Sequence, residues 1–150
     1  MGLKQQAQQD MIIATKGGQK ATVSTLRLLL AELGKKEIEL GKKEEGLTPT
    51  EEAAVVLKEI RKREEAIIQY RVAGRTESVQ AEEAEVVVLK QYAPVMASNE
   101  EIEAAVEGAI KKIGASSMAD MGVVMRMAMA TLGVRASGDA VSALVRSKLS

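Results

Sequence analysis

The sequence has no cysteine, histidine, tryptophan or phenylalanine, and its 150 residues include only two tyrosines and two prolines. Without cysteine there can be no disulfide, thiolate nucleophile, zinc ribbon or iron–sulfur cluster. Without histidine, Ser-His and Cys-His mechanisms, His-ligated haem and HExxH metal chemistry are excluded. Net charge is also missing. The 21 basic residues balance 21 acidic ones, so no positive field over the whole molecule draws it to nucleic acid or an anionic membrane. No apolar run approaches the ~20 residues of a membrane span. The opening Met1-Gly2-Leu3-Lys4-Gln5-Gln6 has neither the pattern of a signal peptide nor the Ser or Thr of a myristoylation motif. A cytoplasmic protein without a membrane partner is the expectation.

Hydrophobic residues at 46% suffice for a core, and with 1% aromatics it must be built from Leu, Ile, Val, Met and Ala. Such side chains pack well between helices that the two prolines barely interrupt. Apolar residues recur at helical spacing, and the stops fall at helix-end chemistry. Leu3 or Ala7 with Met11, Ile12 and Thr15 mark a first helix ending at Gly17-Gly18, a pair suited to a left-handed cap. A second opens near Lys20, carries Leu26, Leu29, Leu30, Leu33, Ile38 and Leu40 on one stripe, and stops before Gly46.

Thr48-Pro49-Thr50-Glu51 is a capping box with proline at the first helical position. The helix it opens carries Val56, Ile60, Ile67 and Tyr70 and runs to Ala73, with Gly74 as its stop. Thr76 caps a fourth helix bearing Val79, Val86, Val87 and Leu89, ending near Tyr92 before Pro94. Beyond Pro94, Lys and Glu thin out and Ala, Met, Gly and Ser increase. Ser98-Asn99-Glu100-Glu101 is a second capping box, for a helix through Ile102, Val106, Ile110 and Ile113 closed by Gly114. Ser117-Met118-Ala119-Asp120 opens another, with Met121, Val124, Met125, Met129 and Leu132 at core spacing. Ser137 or Asp139 caps the last, with Val141, Leu144, Val145 and Leu149. The fold class expected is all-α in two helical subdomains: a longer N-terminal bundle over residues 1–96 and a small three-helix bundle over 97–150.

The catalytic inventory is thin. Glu82, Glu83 and Glu85, or Glu100, Glu101, Glu103 and Glu107, fall on faces expected to be solvated, where acid–base work would need a pocket that raises one pKa. Ser and Thr occur mainly at helix starts, where capping accounts for them. No Walker loop, dinucleotide fingerprint or EF-hand spacing is present, so no cofactor or metal is expected. Basic clusters are a better lead. Lys58, Arg61, Lys62 and Arg63, followed by Arg71 and Arg75, are interleaved with Glu59, Glu64 and Glu65, as in a salt-bridged surface. A sparser group, Lys111, Lys112, Arg126, Arg135, Arg146 and Lys148, could share a surface if the last three helices bundle. Two tyrosines are too few for base stacking, so any RNA contact would go to the backbone of a folded RNA.

Several segments together resemble the GatB/YqeY family along essentially the full length. They are Ser24-Thr25-Leu26-Arg27-Leu28, Ala73-Gly74-Arg75-Thr76, Glu82-Glu83-Ala84-Glu85 leading to Tyr92-Ala93-Pro94, Ile113-Gly114-Ala115-Ser116, and Asp120-Met121-Gly122-Val123-Val124-Met125. The sequence departs from the family at Val134-Arg135-Ala136-Ser137-Gly138, where a turn of the type Gly-Lys-Ala-Asp-Gly is usual. The resemblance implies a stand-alone, all-helical YqeY-like module related to the tail of the amidotransferase B subunit. It would bind tRNA in connection with glutamine-dependent tRNA amidation, be non-catalytic by itself, and have tRNA and an amidotransferase or synthetase component as partners. With electrostatics, it points to Lys111, Lys112, Arg126, Arg135 and Arg146 as the phosphate contacts. Two alternatives stay open: a helical protein–protein interaction module, and a carbon–nitrogen ligase with glutamine as amido-N-donor. The ligase would need a nucleophile to release ammonia and a nucleotide site, and the residues show neither.

Overall fold

The computed structural model describes residues 2–150. Seven α-helices occur among them, in chain order α1 (Leu3–Lys16), α2 (Lys20–Glu39), α3 (Pro49–Val72), α4 (Thr76–Lys90), α5 (Asn99–Ile113), α6 (Met121–Leu132) and α7 (Gly138–Leu149). Short 3₁₀ turns at Met118–Asp120 and Gly133–Arg135 precede and follow α6, and no strand occurs among the described residues. The all-α class read from the sequence is the class observed. No described helix is long and apolar enough to cross a membrane.

The chain divides into two compact units, one ending at Ala93 and the other running from Pro94 to Ser150. Each has its own apolar cluster. In the N-terminal unit, Ala7 of α1, Leu26, Leu29 and Leu33 of α2, Val56, Ile60 and Ile67 of α3, and Val79, Val86 and Leu89 of α4 pack together. In the C-terminal unit, Ile102, Val106 and Ala109 of α5 meet Val124, Ala128 and Leu132 of α6 and Val141, Val145 and Leu149 of α7. The compositional boundary at residues 96/97 and this one differ by Pro94, Val95 and Met96. Arg135 Nε donates to Val95 O and Ala97 N–H donates to Arg135 O, which draws those residues into the C-terminal unit.

Local signals located most helix ends. Gly18 takes the left-handed conformation after α1 (φ +68), letting Gln19 N–H donate to Ala14 O. Gly114 does the same after α5 (φ +73). Both capping boxes are formed. Four expectations need correction. Thr76 does not cap α4; Arg75 holds that position without a side-chain bond, and Thr76 is the first helical residue. The α2 stripe does not include Ile38 and Leu40, which are exposed. At 100° per residue the position below Leu33 is Glu37, which is buried instead. Ile12 and Val87 are likewise exposed, because Ala7 and Ala14 face the core in α1 and Val79, Val86 and Leu89 do so in α4. Finally, Met121, Met125 and Met129 are half-buried at the margin, and smaller Val124 and Ala128 with Leu132 form the packed face of α6.

Two buried acids of the N-terminal unit, Glu37 and Glu52, are matched to donors on α1. Gly2, before α1, has no side chain to cap it, and Glu52 of α3 accepts from Lys4 N–H at 3.1 Å in its place. The Lys4 ammonium then reaches Glu37 of α2 at 2.8 Å.

At the start of α3, the Thr48 N–H donates to Glu51 Oε1 at 2.9 Å and the Glu51 N–H donates to Thr48 Oγ1 at 3.2 Å. Lys42 donates to the same carboxylate at 2.7 Å. Lys42 foremost, with the Thr48 amide, lowers the Glu51 pKa from 4.5 to about 2. A depressed carboxylate stabilises the fold above its unfolded value and loses that contribution as pH falls through the folded one. The box should therefore hold at neutral pH and weaken between about 4.5 and 2. A carboxyl-carbon NMR titration should place the Glu51 midpoint near 2, and Lys42→Met should raise it. A midpoint near 4.5 in the wild type would mean the contacts are not formed in solution.

Candidate nucleic-acid interface

The residues expected to meet phosphate all lie in the C-terminal unit. The Ser98–Glu101 box starts α5, Gly114 ends it, and between them Ile102, Val106 and Ala109 face the core. That register leaves Lys111 and Lys112 exposed in the last turn, where the carbonyl end of the helix also favours cations. In α6 the single charged residue is Arg126, exposed one turn from Gly122 and Ala130. Arg146 is exposed on α7. None of these four forms an ion pair among the described residues.

Arg135 differs. Its Nε donates to Val95 O at 2.7 Å and its Nη2 to Glu101 Oε2 at 2.8 Å. This guanidinium, foremost, and the Ser98 amide hold the Glu101 carboxyl below its ordinary pKa. Glu101 is in the first turn of α5, whereas Lys111 and Lys112 are in its last, roughly 15 Å further along the axis at 1.5 Å per residue. Arg135 is thus not gathered with the two lysines. Lys148 is also engaged, donating to Glu107 at 2.8 Å and Glu103 at 3.3 Å, which raises its pKa and lowers that of Glu107.

Part of the cationic stretch of α3 is taken up internally, while Lys58 and Arg61 are exposed and form no ion pair among the described residues. Arg63 donates to Glu59 Oε2 at 2.8 Å, Glu59 O at 3.0 Å and Glu85 Oε2 at 2.7 Å. Lys62 reaches the other Glu59 oxygen at 3.3 Å. Arg71 pairs with Glu83 at 2.6 Å, and Arg75 lies 5.4 Å from the centre of the Tyr70 ring. Arg63 is buried, and the spacing of the sequence carries a signal of it. Positions 56, 60, 63, 67 and 70 form one stripe at intervals of four and three, and Arg63 occupies its centre.

Among the carboxylates with acid–base potential, Glu82 is pushed up. Burial is the main cause, with Glu85 adding and Arg63 opposing. Glu83 and Glu85 are tied to arginines. No group of three acidic side chains adopts metal-holding geometry among the described residues. A groove of about 420 Å³ opens in the N-terminal unit between α1, α2 and α4. Leu26 lies in its floor, and Ile13 and Val87 on its walls are 67% and 63% exposed.

These features define an all-helical protein of two separately packed units, each with exposed cations that form no ion pair among the described residues. Residues 4–149 match the family described as Yqey-like protein, and the chain belongs to that family. It is also similar to an uncharacterised protein of Schizosaccharomyces pombe, with 33% identity over 89 residues, 59% of this chain and 70% of that one.

Proposed function

We propose that this YqeY-family protein is a non-catalytic accessory module that binds folded tRNA through its phosphates, in connection with glutamine-dependent tRNA amidation. The observation that carries the reading is the exposure of Lys111, Lys112, Arg126 and Arg146 on the C-terminal unit without carboxylate partners; among the described residues the N-terminal unit also has exposed cations outside any ion pair, Lys58 and Arg61 among them. An unpaired cation can exchange condensed counterions for a phosphate without first breaking a salt bridge. Arg135, engaged by Val95 O and Glu101, stands apart from Lys111, Lys112, Arg126 and Arg146. With few phosphate contacts and no net charge, log affinity should fall with log salt at a slope of about −2 to −4.

Titration against total tRNA at two salt concentrations tests this. Replacing Lys111, Lys112, Arg126 and Arg146 together with Gln should weaken binding to all tRNAs alike, since backbone contacts carry no sequence information. No wild-type binding at low salt, or no effect of the fourfold substitution, would overturn the reading.

The exposed Ile13 and Val87 beside the α1–α2–α4 groove favour a second reading, docking of a protein partner on the N-terminal unit. The two readings separate on substitution: Ile13→Ser with Val87→Ser leaves tRNA binding intact and abolishes docking.

A further inference from the structure

We infer that the joint between the two units is confined to Pro94 and its link to Val95, and that Arg135 is the clamp that keeps it that short. On the N-terminal side, order persists to the end of the unit. The Tyr92 hydroxyl donates to Asp10 of α1, Tyr92 N–H donates to Leu89 O at 3.0 Å, and Ala93 N–H donates to Lys90 O at 3.3 Å. On the C-terminal side the chain is held again almost at once. Arg135 grips it with both side chain and backbone: Nε donates to Val95 O at 2.7 Å, and Arg135 O accepts from Ala97 N–H at 2.8 Å.

The same guanidinium is held by Glu101, which the Ser98 capping box anchors to the first turn of α5. Proline locks its own φ, and the residue before it is restricted to extended backbone. What remains soft is the ψ of Pro94 and the φ of Val95. Val95 and Met96 are exposed and bury little that would hold them otherwise. Opening the side-chain half of the Arg135 clamp therefore adds residues 95 and 96 to the joint, roughly 7 Å of chain at 3.3–3.6 Å per residue, while Ala97 stays held by Arg135 O and by its packing on the C-terminal cluster.

Backbone amide relaxation and hydrogen exchange on the full chain test the assignment. In the wild type, Ala97 should be rigid, with an order parameter near 0.85. In Arg135→Ala, Val95 and Met96 should fall below about 0.6, while Ala97, whose N–H still donates to the backbone carbonyl at position 135 and which packs against the C-terminal cluster, should stay rigid. The slow amides of Val106, Val124 and Val141 should keep their rates. Residues 95 and 96 already mobile in the wild type, or still rigid in Arg135→Ala, would overturn the clamp. If Arg135→Ala loosens the whole unit, Arg135→Met decides. It keeps the aliphatic stem and removes only the donors to Val95 O and Glu101, so loosening confined to 95 and 96 supports the clamp and none overturns it.

Discussion

Arg63→Ala should destabilise the N-terminal unit by about 3 kcal/mol, far more than loss of an exposed ion pair. Glu59 is only 4% exposed, and its carboxylate accepts from Arg63 on one oxygen and Lys62 on the other. Removing Arg63 leaves that carboxylate buried with one long contact to an exposed lysine. The estimate sits at the low end for a broken buried pair because the third partner, Glu85, has a side chain 31% exposed and can turn to water. Urea unfolding followed by a probe in α3 should show a lower midpoint at unchanged slope. Arg63→Met combined with Glu59→Leu should recover most of the loss, since an apolar pair of similar volume needs no compensation. A cost below about 1 kcal/mol for Arg63→Ala would mean water reaches Glu59 freely.

A comparable loss, about 2–5 kcal/mol, is expected for Leu33→Ala, and it should fall on one unit alone. Leu33 is fully buried in α2 within the cluster of the N-terminal unit. That cluster shares no residue with the one formed by α5, α6 and α7. The cavity left by the missing carbons therefore weakens only contacts among α1 to α4. Exchange at Leu29 and Val56 should speed up by a factor of 30 or more, on the scale of a factor of 10 per 1.4 kcal/mol. Exchange at Val106, Val124 and Val141 should not change. A uniform rise in both sets would show that the units unfold as one cooperative body.

Helix number, type and most ends were legible in the residues because the chemistry that sets them is local. A capping box needs partners three positions apart, as Thr48 with Glu51 and Ser98 with Glu101, and a left-handed stop needs one glycine, as at 114. The absence of Cys and His was equally decisive for the chemistry the chain cannot perform. The free or engaged state of each charge was not legible, because it depends on partners far along the chain. Lys4 and Glu52 are 48 positions apart, Arg135 and Val95 are 40, and Arg135 and Glu101 are 34.

By itself, then, the sequence determined an all-helical chain with a break near Pro94 and a membership in its family. Helix packing alone decided that Arg63 lies in a core stripe, that Glu52 caps a helix it does not belong to, and that Arg135 holds the chain while Lys111, Lys112, Arg126 and Arg146 stay open. Periodicity states which face of a helix is apolar. Only the packed neighbour states whether a charge at the edge of that face meets water or an opposite charge.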